Sequence, residues 1–165
     1  MKRIAKAIIA GFFLILFLFL SPAALAQQNV FERTDPRPII ITKDGGGPIS
    51  VYFRAWTLIE QSQRPVIIDG ICASACTLFL GILKREQICA TERAVLAFHA
   101  GGKCVSDGVR CLEKPFYDET ANNELMSLYP ENIRAWFTSQ GGLKPDMEQF
   151  LLLRGKELEQ FVRRC

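Results

Sequence analysis

Pro65-Val66-Ile67-Ile68-Asp69-Gly70-Ile71-Cys72-Ala73-Ser74-Ala75-Cys76 is the stretch whose pattern decides the fold. Pro65 to Asp69 reads as a short apolar strand, rich in β-branched residues and closed by Gly70. A turn through Ile71–Cys76 leads into Leu78, Phe79, Leu80, Ile82 and Leu83. A helix apolar on nearly every face belongs in the interior. The expected unit is therefore strand, glycine, turn, buried helix.

The same alternation extends in both directions. Upstream, Pro38 to Thr42 holds three consecutive isoleucines and reads as a strand, ended by Asp44-Gly45-Gly46-Gly47-Pro48. Pro48 suits a first helical turn, and Ile49, Tyr52, Phe53, Trp56 and Ile59 follow at helical spacing, with Arg54, Thr57 and Glu60 opposite. Downstream, Gln87 to Ala90 and Ala94 to Phe98 read as strands, with His99 and Ala100-Gly101-Gly102 after the second. A cysteine-bounded loop spans residues 103–114. Phe116 to Tyr129 is helical in pattern, and Ile133, Trp136 and Phe137 form another helix ended by Gly141-Gly142. In the tail, Met147, Phe150 and Leu151, then Leu158, Phe161 and Val162, suit short helices. Strands alternating with helices predict an α/β fold with parallel strands joined by helices. No internal repeat or low-complexity segment interrupts it.

Of the 165 residues, the first 26 have the layout of a cleavable signal peptide. Lys2, Arg3 and Lys6 precede an apolar run from Ala7 to Leu20; Pro22 breaks it, and Ala24-Leu25-Ala26 supplies small residues for cleavage. The run is shorter than the ~20 residues a spanning helix needs, so no membrane anchor is expected after cleavage. The formal charge of +3 resides wholly in this leader, and nothing beyond it suggests nucleic acid as a partner. Residues 27–37 are polar and read as a mobile mature N-terminus, and 38–165 as a single domain, periplasmic or secreted.

All six cysteines lie beyond the leader: Cys72, Cys76, Cys89, Cys104, Cys111 and Cys165. An even number in an exported chain favours disulfides. Cys104 and Cys111 flank the turn-like Ser106-Asp107-Gly108, so they are expected to pair. Cys72 and Cys76 with His99 fall short of the four ligands of a structural zinc site, and Cys-x3-Cys is not the Cys-x-x-Cys redox spacing. Those two cysteines are read as disulfide-bonded or as small apolar residues beside Ser74; no metal or cofactor is expected.

Ser74 opens a buried helix at a strand end, where unpaired N–H groups gather. A serine there is an N-cap or a nucleophile. His99 is the single histidine of the chain and also follows a strand; a neutral imidazole can take a serine proton and return it. Gly46 and Gly47, together with Ala75, offer N–H groups for a developing oxyanion, whereas the bland reading of the glycines is a tight turn.

In order and spacing, Gly45-Gly46-Gly47, Val66-Ile67-Ile68-Asp69-Gly70, Cys72-Ala73-Ser74-Ala75-Cys76 and Phe98-His99 resemble the Clp-protease/crotonase superfamily. The likeness is greatest to exported, periplasmic ClpP-like members with a Cys-x-Ser-Ala-Cys motif. It covers about residues 38–102 well and continues weakly beyond. The resemblance implies a core of repeated ββα units, Ser74 as nucleophile, His99 as general base, and Gly47 and Ala75 as backbone donors to the oxyanion. It implies an acid after the long helix that follows the histidine, read onto Asp146, with Glu148 and Asp118 as alternatives. The sequence departs from the family in starting only a short way before the glycine turn, an N-terminally shortened core with an open sheet edge. It also departs in carrying Lys43-Asp44 where the family tends to have Ser-x-Gly-Gly.

The expected function is an exported serine hydrolase, most simply a peptidase acting on polypeptide. The alternative is a non-catalytic binding or assembly module of the cell envelope, with a protein partner or a homo-oligomer. Acyl-coenzyme A chemistry is disfavoured, because those thioesters are scarce outside the cytoplasm.

Overall fold

The computed structural model describes residues 37–105, 107 and 111–165. The expected leader and nearly all of the segment 27–37 lie outside the described residues. Strand β1 (Ile39–Asp44) leads through the glycine turn into helix α1 (Ile49–Ser62) and back along β2 (Val66–Ala73). A 3-10 turn (Ser74–Leu78) and the short α2 (Phe79–Ile82) follow, then a second 3-10 turn (Arg85–Gln87), β3 (Ile88–Ala90) and β4 (Val95–Phe98). Next come the short strands β5 (Gly102–Lys103) and β6 (Phe116–Tyr117), helices α3 (Glu119–Ser127) and α4 (Glu131–Ser139), strand β7 (Leu151–Arg154) and α5 (Gly155–Leu158).

The molecule is α/β. In the main sheet β2 lies between β1 on one side and β3 and β4 in succession on the other, all parallel to it. β7 closes the far side, antiparallel to β4, with Phe98 opposite Leu151. β5 and β6 form a separate antiparallel pair.

β2 runs past Gly70 rather than ending there. The β1–β2 register shifts between Ile41 and Lys43, so Thr42 faces two residues of β2. A Cβ on Gly70 would lie 1.9 Å from the Thr42 carbonyl oxygen. Glycine here permits a bulge inside the strand rather than a stop. The extra length carries Cys72 and Ala73 to the sheet end and delivers Ser74 there.

The tail differs from expectation more strongly. Leu151-Leu152-Leu153-Arg154 is a strand, not a helix, because β4 offers an unpaired edge and antiparallel pairing satisfies both backbones. Phe116-Tyr117 is likewise a strand before the helix, which starts only at Glu119 behind the Asp118 N-cap.

Phe98 lies at the core centre, with its ring against those of Tyr129, Trp136 and Phe137. That packing seats α4 against β4. On the other flank Trp56 of α1 meets Phe79 edge-on and donates from its indole N–H to the Cys76 carbonyl at 3.0 Å. Burying each such aromatic ring stabilises the fold by about 2–3 kcal/mol. Three disulfides join Cys72 to Cys76, Cys89 to Cys165, and Cys104 to Cys111, the last being the pair singled out by its turn. They fit an oxidising compartment. Among the described residues no helix is long and apolar enough to cross a membrane.

Candidate active site

Ser74 follows β2 directly, with φ of +54°, in the left-handed region. A residue with a side chain is strained there by roughly 1–2 kcal/mol. The helix-cap reading does not hold: Ala73 occupies the cap position and no side-chain cap bond forms. Something other than capping maintains the serine in this conformation.

Four neighbours hold it. The Cys72–Cys76 bridge spans the turn, and both cysteines are fully buried. Thr77 Oγ1 donates to the Ser74 carbonyl at 2.6 Å and lies 2.6 Å from the Tyr129 hydroxyl. With Thr77 donating to the carbonyl, Tyr129 is the donor to Thr77. Burial drives the Tyr129 pKa well above the usual phenol range, so it stays a donor. From the other side comes Gly46, at φ +78°, where a Cβ would lie 2.7 Å from Ser74 Cβ and 2.9 Å from the Ala75 nitrogen.

The glycine turn is itself fixed by Asp44, whose carboxylate accepts from Gly46 N–H at 2.8 Å and from the Tyr52 hydroxyl. Burial, then the bond to Asp44, raises the Tyr52 pKa and keeps that proton in place. Asp44 thus supplies an anchor for the turn. Gly46 N–H is occupied by this bond. Gly47 and Ala75 have no hydrogen bond from N–H among the described residues. The first N–H groups of a helical turn have no acceptor within it.

Ser74, Ala75, Gly46, Gly47 and His99 all line one cavity of about 840 Å³. His99 directly follows β4, half-buried, its ring edge-on to Phe150 at a centroid separation of 5.1 Å. Burial lowers its pKa below the ordinary 6.5, opposed by a bond to the Ala100 carbonyl. The ring is therefore neutral at neutral pH. Nδ1 lies 2.7 Å from the Ala100 carbonyl oxygen. Among the described residues no hydrogen bond joins Ser74 Oγ to His99.

None of the expected acids meets the imidazole. Asp146 is exposed and accepts from Glu148 N–H at 2.9 Å and Gln149 Nε2 at 3.0 Å. It does not line the cavity. Glu148 pairs with Lys114. Asp118 caps α3 through Ala121 N–H at 2.9 Å and pairs with Lys103. The Asp146 carboxylate is engaged in its own local turn, and among the described residues no hydrogen bond joins it to His99. Cys72 and Cys76, tied as a disulfide, have no thiolate to offer a metal. Among the described residues no group of three His, Cys, Asp or Glu side chains forms a metal site.

Sequence reasoning passed over Asp44, Phe150 and the Thr77–Tyr129 pair. Only Asp44 had a local signal, an acid two residues before a glycine, as in an Asx-type turn.

No protein-family model matches the chain, and no curated protein matches it. Among solved structures it is similar to one described only as the crystal structure of an enzyme, at 11% identity and a TM-score of 0.46, covering 84% of this chain and 81% of that chain. It is also similar to a ClpP1 mutant from Listeria monocytogenes, at 15% identity and a TM-score of 0.44, covering 82% of this chain and 76% of that chain. Neither likeness assigns a residue here.

Proposed function

We propose that the chain is an exported serine hydrolase of the Clp-protease/crotonase type, a peptidase acting on polypeptide. Ser74 is the nucleophile and His99 the general base. The observation that carries this reading is the strained, positively rotated Ser74 backbone on the wall of the cavity that His99 also lines. Strain of this kind persists where surrounding contacts over-determine it, and active sites are where it gathers.

In the reaction Ser74 Oγ attacks the scissile carbonyl while its proton passes to His99 Nε2. The resulting oxyanion lies against Gly47 N–H and Ala75 N–H, each donor contributing about 3 kcal/mol. His99 then gives the proton to the leaving amine, and water hydrolyses the acyl-enzyme with the imidazole again as base. The three disulfides support an exported setting.

A fluorophosphonate probe tests the assignment. Labelling of the wild type and none of Ser74→Ala is the expected result; labelling that survives the substitution removes Ser74 from the role. The absent Ser74–His99 hydrogen bond favours a second reading, a non-catalytic binding or assembly module. In that case Ser74→Ala would leave the cellular role intact while surface changes abolish it.

A further inference from the structure

We propose that the Ala100–Gly101 peptide orients His99, in place of a carboxylate, and that Asn122 holds that peptide. The proposal rests on the reading of His99 as the base. A carbonyl oxygen only accepts, so the 2.7 Å contact from Nδ1 to the Ala100 oxygen requires the proton on Nδ1. The neutral ring then keeps its lone pair on Nε2, the nitrogen a nucleophile's hydroxyl must reach. A triad acid performs this service by accepting Nδ1–H.

The peptide is clamped rather than free. Its N–H, on Gly101, donates to Asn122 Oδ1 of α3 at 3.0 Å. A Cβ on Gly101 would lie 2.5 Å from both the Ala121 carbonyl oxygen and Asn122 Cα, so the chain lies directly on the helix. The Gly101 carbonyl accepts from Asp118 N–H at 3.3 Å, and Ala100 is fully buried. With both peptide neighbours held, the Ala100 carbonyl has a set direction. Asn122 is thus a positioning residue, acting on His99 through one peptide plane. Asp146, Glu148 and Asp118 are each engaged elsewhere.

A peptide carbonyl lacks the full charge of a carboxylate, so it fixes the tautomer while stabilising the imidazolium less. The base is correspondingly weak, in line with a His99 pKa lowered by burial.

His99 is the sole histidine, so nitrogen-15 NMR of the oxidised protein reads one imidazole without ambiguity. The expected result at neutral pH is a protonated Nδ1 and an unprotonated Nε2. Asn122→Ala should shift the ring toward the Nε2–H form and slow fluorophosphonate labelling about tenfold, a change of about 1.4 kcal/mol. Asn122→Asp, which keeps an acceptor, should restore the Nδ1–H form. Asp146→Asn and Glu148→Gln should label within about threefold of wild type, whereas losing a triad acid costs about 10⁴. A wild-type proton on Nε2, or a hundredfold or greater loss in one of those carboxylate variants, overturns the proposal. Should the wild type not label at all, the hydrolase reading falls, while the nitrogen shifts still decide how His99 is held.

Discussion

Gly46 packs on Ser74 so closely that a Cβ on the glycine would lie 2.7 Å from the serine Cβ and 2.6 Å from the Ala73 carbonyl oxygen. The contact joins the turn after β1 to the turn after β2, two segments adjacent only because their strands pair. It brings the expected nucleophile and the expected oxyanion donors to one cavity wall.

Gly46→Ala therefore meets two penalties, a backbone clash and a side chain at φ +78°. Displacing the turn should cost about 2–4 kcal/mol in thermal or denaturant unfolding and suppress probe labelling of Ser74. Gly45→Ala, with nothing within 4 Å of its added carbon, should fold as wild type. Equal stability of the two variants would contradict the packing described.

Ser74 itself stores strain at φ +54°. Ser74→Gly should be more stable than Ser74→Ala by about 1 kcal/mol, since glycine adopts this region without penalty. Urea unfolding of the two variants measures the difference directly.

The Cys89–Cys165 and Cys104–Cys111 bridges differ in the loops they close, with sequence separations of 76 and 7. On chain-entropy grounds, replacing the first pair by alanine should cost about 4–5 kcal/mol and the second about 2–3 kcal/mol. Denaturant midpoints of the two double variants would show whether that order holds. The Cys72–Cys76 bridge should matter more to labelling than to stability, because it spans only the Ser74 turn.

Labelling should rise with pH through a His99 pKa below 6.5 and then level, as the base must be neutral. Stability follows the same direction. A histidine whose folded pKa is lowered binds its proton more readily in the unfolded chain, so its contribution is complete above the unfolded value near 6.5. That contribution is lost as pH falls through the folded value. His99→Gln should remove this part of the pH dependence of unfolding, which sets in as pH falls below the unfolded value near 6.5.

Much of the site was legible in local pattern. The isoleucine run before Asp44, the helical spacing from Ile49 to Ile59, and the strand before Cys72 all appear as elements near their expected positions. Ser74 and His99 each stand at a strand end, and the two line one cavity. Gly70 misled because a glycine within a strand and a glycine ending one are identical until the partner's carbonyl is known. The spacing of Met147, Phe150 and Leu151 misled because it fits a helical turn, whereas the open edge of β4 made Leu151–Arg154 a strand.

Residue order alone therefore determined where β1, α1, β3 and β4 fall, which serine and histidine end strands, and that Cys104 and Cys111 flank one turn. Those features depend on side-chain periodicity and on backbone freedom over a few neighbouring residues. Tertiary structure alone decided the partner of Cys89, the strand at the tail, the grip of Gly46 and Thr77 on Ser74, and the peptide that accepts from His99. Each of these is a contact between segments distant along the chain, or a carbonyl direction set by such contacts. A backbone oxygen carries no residue letter, so its part in a site becomes visible only when the chain is folded.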